Sequence, residues 1–258
     1  MDDEIRRRVR EWLEQDVVDL FLAYRMVCGH PLPHAFSKQE IGEVQGLVTG
    51  PARYPLGRMA WRILSLHPEV TLGLLARDCD RRGLTVLSAL NQIQHGKVKA
   101  MPLEESGPES RASGPAKARL GLPFDAKTGE VDAMEQGERF RRWMYEFHKC
   151  IKCYGCRNIC PVCSCKECSL EHPDLLETGR LPPEVPLFHL VRAVHMAGRC
   201  VDCGLCEETC PAEIPLRLLY RKANAIVKEV FGYEAGTGAN LSPFHELGDV
   251  SNLEPKAI

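Results

Sequence analysis

Residues 2–16, DDEIRRRVREWLEQD, place Ile5, Val9, Trp12 and Leu13 at i, i+4, i+7 and i+8, the spacing of an amphipathic helix with one core-facing stripe. The near-continuous apolar run VDLFLAYRM (18–26) predicts a buried strand, and EVTLGLLA (69–76) predicts a second. Between and after them, KQEIGEVQGL (38–47), YPLGRMAWRILSL (54–66) and RRGLTVLSALNQIQ (81–94) carry helical spacing. A strand, helices, strand, helix order favours a small parallel sheet with a crossover connection. Two strands are too few for a free-standing sheet, so further strands are expected from unread segments or from a partner chain.

The pattern changes over residues 98–137. The stretch ESGPESRASGPAKARLGLP is rich in Gly, Pro, Ser and charge without periodicity, which predicts a linker or extended arm. Helical spacing returns in GERFRRWMYEFHK (137–149), with Phe140, Trp143, Met144 and Phe147 on one face. It recurs in LFHLVRAVHMAG through Leu187, Leu190, Val191 and Val194, and in LRLLYRKANAIVKEVFGY (216–233). The expected class is α+β. A small N-terminal α/β (βαβ-like) domain (1–97) leads through an arm (98–137) to a mostly helical domain (138–233) and an extended tail (234–258).

Apolar residues make up 44% and charged residues 26%, and the net charge is -2, so no basic excess points to nucleic acid. No apolar run reaches the length of a membrane span. The charged start MDDEIRRRVREW has no apolar signal core, which makes the cytoplasm the expected location. Cysteine departs from the ordinary: there are 13, and eleven of them fall between Cys150 and Cys210. In a chain expected to be cytosolic, such clustering reads as metal binding rather than as a disulfide framework.

Two segments share one pattern. Cys150, Cys153, Cys156, Cys160 and Pro161 form C-x2-C-x2-C-x3-C-P, and Cys200, Cys203, Cys206, Cys210 and Pro211 repeat it 50 residues later. This is the ferredoxin-type run for a [4Fe–4S] cluster. A short loop puts three thiolates on three irons of one cubane, and the following chain carries the fourth cysteine away. In two-cluster ferredoxins that fourth cysteine serves the other cluster. Applied here, Cys150, Cys153, Cys156 and Cys210 would hold cluster one, and Cys200, Cys203, Cys206 and Cys160 cluster two. Structural zinc, which uses paired C-x2-C knuckles, has no need of a duplicated three-plus-one run.

The helical insert between the runs looks like the α-helical ferredoxin module of succinate dehydrogenase iron–sulfur subunits and heterodisulfide reductase small subunits. KCIKCYGCRNICPVCSCKEC, FHLVRAVHMAGRCVDCGLCEETCPAEIPL and FGYEAG are similar to the cluster region of β subunits of deazaflavin-dependent hydrogenases and formate dehydrogenases. ARDCDRRGLTVLSALNQI resembles the sheet-and-helix segment of their N-terminal domain, which abuts flavin or deazaflavin sites in that family. The resemblance implies two [4Fe–4S] clusters, with flavin on this chain or on a partner.

Cys163, Cys165 and Cys168 supply three more thiolates in six residues. They read either as a third metal site, with Cys28, Cys79 or His172 as fourth ligand, or as free thiols shielded beside cluster one. Cys79 follows a strand, where ligands of parallel sheets collect, but RDCDRRG equally makes a solvated turn. Cys28 reads as a buried small hydrophobe. His148, His189 and His195 flank the runs, either as donors to cluster sulfurs or as ordinary helix residues. The prolines in HPLPH exclude His30 and His34 as a helical metal pair.

Basic residues Arg139, Arg141, Arg142, Lys149, Lys152, Arg157 and Lys166 surround the first run, and acidic Asp202, Glu207, Glu208 and Glu213 the second. That contrast would put cluster one at the higher potential. No Walker A run, G-x-G-x-x-G, G-x-S-x-G or H-E-x-x-H occurs. The expected function is therefore an electron-transfer subunit, working with flavin- or metal-containing oxidoreductase subunits in a hetero-oligomeric complex. One alternative is a flavin-containing subunit that exchanges hydride with a deazaflavin or nicotinamide. Another is a redox sensor built on Cys163–Cys168.

Overall fold

The computed structural model describes residues 2–50, 52–103, 124–174, 187–238 and 241–244. The first half runs α1 (Asp2–Glu14), β1 (Leu20–Val27), β2 (His30–Ser37), a 3-10 turn (Ile41–Gly46), β3 (Leu47–Val48), α2 (Leu56–Leu66), β4 (Leu72–Ala76), α3 (Asp78–Ala89) and β5 (Val98–Pro102). The sheet order is β2-β1-β4-β5, with β3 also paired to β1. β1, β4 and β5 run parallel, and β2 and β3 are antiparallel to β1.

Both faces of the sheet are covered, which is why β1 and β4 read as continuous apolar runs. Phe21, Ala23 and Leu75 join Ile5, Val9 and Leu13 of α1 in one core. Leu22, Tyr24, Leu72, Leu74 and Ala76 join Leu56, Ala60 and Trp61 of α2 in the other. The period-2 alternation along each strand thus sorts its side chains between two helical layers. Gly73 lies opposite Phe21, whose ring fills the space a β-carbon would need: a Cβ there would sit 2.2 Å from Phe21 Cδ2.

The missing strands come from the chain itself. HPLPHAFS is β2, an edge strand, where Pro31 and Pro33 remove donors the sheet does not need. It turns back from β1 through Cys28 and Gly29, with φ of 49° and 80°, the signs of a type I′ hairpin. Cys28 is therefore exposed at a turn, not buried. The helix expected over 38–47 is only the 3-10 turn, where Gly42 and Gly46 weaken helix. Within the segment expected as an arm, Val98–Pro102 is β5 and Phe124–Ala133 is helical (α4), while 104–123 lies outside the described residues.

The second half continues with α5 (Gln136–His148), α6 (Gly155–Asn158), a 3-10 turn (Ser169–Glu171), α7 (Leu187–Met196), α8 (Leu205–Glu208) and α9 (Leu216–Phe231). Its core gathers Val162, Leu170, Phe188, Met196, Val201, Ile214, Leu216 and Tyr220, and it takes in Val86 of α3. The α7 helix forms where its spacing predicts, but it buries the opposite side. Phe188, His189, Arg192, Ala193 and Met196 point inward, whereas Leu187, Leu190 and Val194 are exposed. Among the described residues no helix is long and apolar enough to cross a membrane.

Arginines tie the two halves together. Arg58 of α2 donates from Nη1 to the carbonyl oxygens of Arg157 (3.2 Å), Cys160 (3.1 Å) and Cys163 (2.8 Å). Arg53 pairs with Glu208 and donates to the carbonyl of Cys203. Arg82 donates to the carbonyl of Ala235.

Candidate metal centre

The duplicated cysteine runs fold into duplicated loops. Lys152 and Asp202 both take left-handed backbone, with φ of 49° and 55°. Each donates its amide to the sulfur two residues before it: Lys152 N to Cys150 Sγ and Asp202 N to Cys200 Sγ, both at 3.4 Å. Tyr154 and Gly204 are again left-handed, at 56° and 81°, and start the single turns α6 and α8. The same backbone bonds close both turns, Ile159 N to Gly155 O and Thr209 N to Leu205 O, each 3.0 Å. Amides aimed inward along a reversing loop make a concave donor surface of the kind that cradles anionic groups.

The fourth cysteines cross. Cys150 lies within electrostatic reach of Cys210 and Cys153, and Cys156 within reach of Cys150, Cys210 and Cys153. Cys160 acts instead on Cys200, Cys203 and Cys206. A largely apolar cavity is lined by these last four cysteines together with Pro161, Met196, Val201, Arg192, Arg217 and Tyr220. Burial pushes the Cys156 thiol up to about 11 and Cys200 up to about 12, and it also raises Cys160, Cys203 and Cys206. Buried sulfurs of this kind become thiolates only against a positive centre, so binding a metal there releases their protons. Among the described residues no three His, Cys, Asp or Glu side chains converge tightly enough for a single metal ion.

No protein-family model matches the chain. It is 31% identical over 169 residues to the F420-dependent formate dehydrogenase subunit beta of Methanocaldococcus jannaschii, covering 66% of this chain and 43% of that protein. It is 36% identical over 165 residues to the F420-dependent formate dehydrogenase 1 subunit beta of Methanococcus maripaludis, covering 64% and 41%. The chain is related to the β subunits of F420-dependent formate dehydrogenases. It spans less than half the length of the curated β subunits it matches.

Around the two loops, the surplus cysteines divide. Cys163 and Cys168 are half-buried and pack on the core that holds the two runs, whereas Cys165 is exposed. Arg157 lies within electrostatic reach of Cys168 and pairs with Glu171 at 2.5 Å. Cys79 is the second residue of α3, which follows β4 at the sheet end where parallel strands collect ligands. It lines a cleft of about 80 Å³ with Cys203, Asp202, Arg53, Arg77 and Arg217. A larger cleft of about 350 Å³ lies beside the first run, walled by Trp143, Val131, Arg142, Lys149, Pro215 and Leu218.

The charge contrast read from the sequence is largely cancelled by pairing. Asp202 pairs with Arg217 at 2.7 Å and Arg221 at 2.8 Å, and Glu208 pairs with Arg53. On the first run, Lys149 pairs with Glu146 and Arg157 with Glu171. The ordering of potentials drawn from formal charges alone therefore loses its basis.

The sequence reading missed two polar groups buried against the loops, Arg192 and Tyr220. Arg192 is 2% exposed and donates from Nη2 to the carbonyl of Cys156 at 2.9 Å, while its Nε has no partner. Tyr220, also 2% exposed, lies under the guanidinium at 5.8 Å with its hydroxyl unpartnered. His189 stacks on Phe147, and neither of its nitrogens has a partner. The available signal was one basic residue inside the apolar helix FHLVRAVHM, flanked by two histidines. His148 donates to or accepts from nothing in the loops and instead contacts the Met144 carbonyl. His195 is exposed on α7.

Proposed function

We propose that the chain is an electron-transfer subunit that relays single electrons through two [4Fe–4S] clusters within a larger oxidoreductase complex. The observation that carries the reading is the crossed pair of matching loops. Cys150, Cys153, Cys156 and Cys210 would hold the first cluster, and Cys200, Cys203, Cys206 and Cys160 the second. The donor set fits: four sulfurs per site, inward-facing amides on both loops, an apolar cavity at the second site, and buried donors still lacking acceptors. Bound there, such clusters supply reversible one-electron chemistry.

The chain's own residues do three things for that chemistry. The crossing of Cys160 and Cys210 locks the two loops into one body and fixes the separation of the sites. Val162, Met196, Val201 and Tyr220 exclude water from the loops, which keeps the local dielectric low. The loop amides of Lys152 and Asp202 hold the first sulfur of each run. We assign this two-site unit to residues 138–233, in keeping with the relation to formate dehydrogenase β subunits. A formate dehydrogenase-like assembly is accordingly the proposed setting, with a flavin- or metal-containing partner as donor or acceptor.

A second reading places flavin in the cleft at Cys79, for hydride exchange with a deazaflavin. The cleft does touch the second run through Cys203, and the relatives are named F420-dependent. Its volume of about 80 Å³ is well below the roughly 300 Å³ or more of pockets that enclose small molecules, which favours the relay.

The deciding measurement is anaerobic iron, acid-labile sulfide and flavin per chain. About eight iron with no flavin is the expected result for two cubanes. About eight iron with one flavin would favour the second reading. Iron clearly above eight would assign Cys163, Cys165 and Cys168 to a third site, and iron near one would overturn the cluster reading in favour of a single metal.

A further inference from the structure

We infer that Arg192 and Tyr220 set the reduction potentials of both cluster sites from a shared buried position between them; this rests on the two-cluster reading above. Arg192 enters the core from the inward side of α7 and is 2% exposed. A buried cation ordinarily demands a carboxylate, because desolvation outweighs what lone hydrogen bonds return. Among the described residues none pairs with it. The groups that act on its charge are Tyr220, Cys160, Cys156 and Cys163. Two of these cysteines belong to different sites: Cys156 to the first and Cys160 to the second. Arg192 in turn acts on Cys200 and Cys206 of the second site and lines its cavity.

The counter-charge therefore has to come from the sites themselves. Four thiolates around an iron–sulfur core leave a net negative charge, and a guanidinium facing both sites offsets it. Each added electron increases that negative charge, so the fixed cation favours the reduced state of either cluster. The two orphan donors support the same conclusion. Arg192 Nε and Tyr220 Oη are buried without acceptors, and native proteins rarely leave such groups unmet. Sulfur acceptors at the cavity they face would satisfy both, and hydrogen bonds to cluster sulfur raise the potential in the same direction. The hydrogen bond from Arg192 Nη2 to the Cys156 carbonyl and the Tyr220 ring below fix the guanidinium in place.

The test is a potentiometric titration of the iron-loaded chain followed by EPR, with iron counted on each sample. Arg192→Met at full iron content is expected to lower both midpoint potentials. Arg192→Lys, which keeps the charge but loses the fork, is expected to restore part of the shift. Tyr220→Phe is expected to lower at least the second-site potential, by less. Both potentials unchanged in an iron-replete Arg192→Met protein would overturn the inference, leaving Arg192 a structural clamp on α7 and the Cys156 loop. If Arg192→Met does not take up iron, Tyr220→Phe decides: a lowered potential upholds the inference and unchanged potentials overturn it. Failure of the wild-type chain to hold two clusters is read separately from its iron count and overturns the underlying reading.

Discussion

Lys152 and Asp202, 50 residues apart, hold the same left-handed backbone conformation, and each gives its amide to the cysteine sulfur two residues earlier at 3.4 Å. Neither is glycine, although left-handed backbone costs an ordinary residue on the order of 1 kcal/mol. The geometry recurs because three cysteines can converge only if the chain reverses between them.

That conformation gives a first expectation. Lys152→Gly adopts φ of 49° without strain and is expected to keep full iron content and to gain up to about 1 kcal/mol of stability. Lys152→Pro fixes φ near −65° and removes the donor, so iron is expected to fall from about eight to about four as the first site is lost. Iron analysis with EPR decides, and an iron-replete proline variant would remove the loop amide from the argument.

The crossing of the fourth cysteines separates two pairs of substitutions. Cys160→Ala with Cys203→Ala should empty only the second site and leave about four iron, whereas Cys160→Ala with Cys153→Ala should empty both sites. If the runs are self-contained, the pattern changes: Cys153 and Cys160 then share a site, and that pair would leave the about four iron of the other run.

What the sequence could and could not reveal follows from how local each signal is. The cysteine runs are legible because C-x2-C-x2-C encodes one short loop, and the same loop appears twice. Strand β2 was hidden by Pro31 and Pro33, which are disfavoured inside a sheet but tolerated at the edge that the fold provides. The α7 helix was legible as a helix, but its apolar stripe did not mark its buried side: Leu187, Leu190 and Val194 are exposed, whereas His189 and Arg192 are buried. Hydrophobic periodicity equates burial with apolarity, and the buried Arg192 beside the cysteine loops breaks that equation. The charge contrast between the runs failed for a related reason. Asp202 and Glu208 are neutralised by Arg217, Arg221 and Arg53, and Arg53 lies 155 residues away from Glu208.

Arg58 makes the docking of the N-terminal half onto the cysteine loops testable. Its Nη1 serves three carbonyls around Cys160, none of them through a sulfur. Arg58→Met keeps the aliphatic stem and is expected to destabilise by about 2 kcal/mol, with three acceptors losing a charged donor. Anaerobic denaturant titration reads the loss. Limited proteolysis is expected to cut more readily between the halves, and an unchanged midpoint and digestion rate would mean that Arg53 and Arg82 suffice for docking.

His189 carries a pH dependence whose sign is fixed by its burial. Its side chain is enclosed between Phe147 and Phe188, and burial, helped by the positive charge of Arg192, lowers its pKa to about 4 from the ordinary 6.5. Above pH 6.5 the imidazole is neutral in the folded and unfolded chain alike, and it contributes no pH dependence. As pH falls from 6.5 towards 4, the unfolded chain takes up a proton that the folded chain refuses, so stability declines by about 1.4 kcal/mol per pH unit. Below about 4 both states are protonated and the decline stops. His189→Leu, close in volume, removes the liability. Relative to wild type, the variant should gain about 1 kcal/mol between pH 7.5 and pH 5.5 in anaerobic denaturant titrations. A difference that stays constant across that range would mean that the imidazole takes up its proton as readily in the folded protein as in the unfolded chain, and that burial does not lower its pKa.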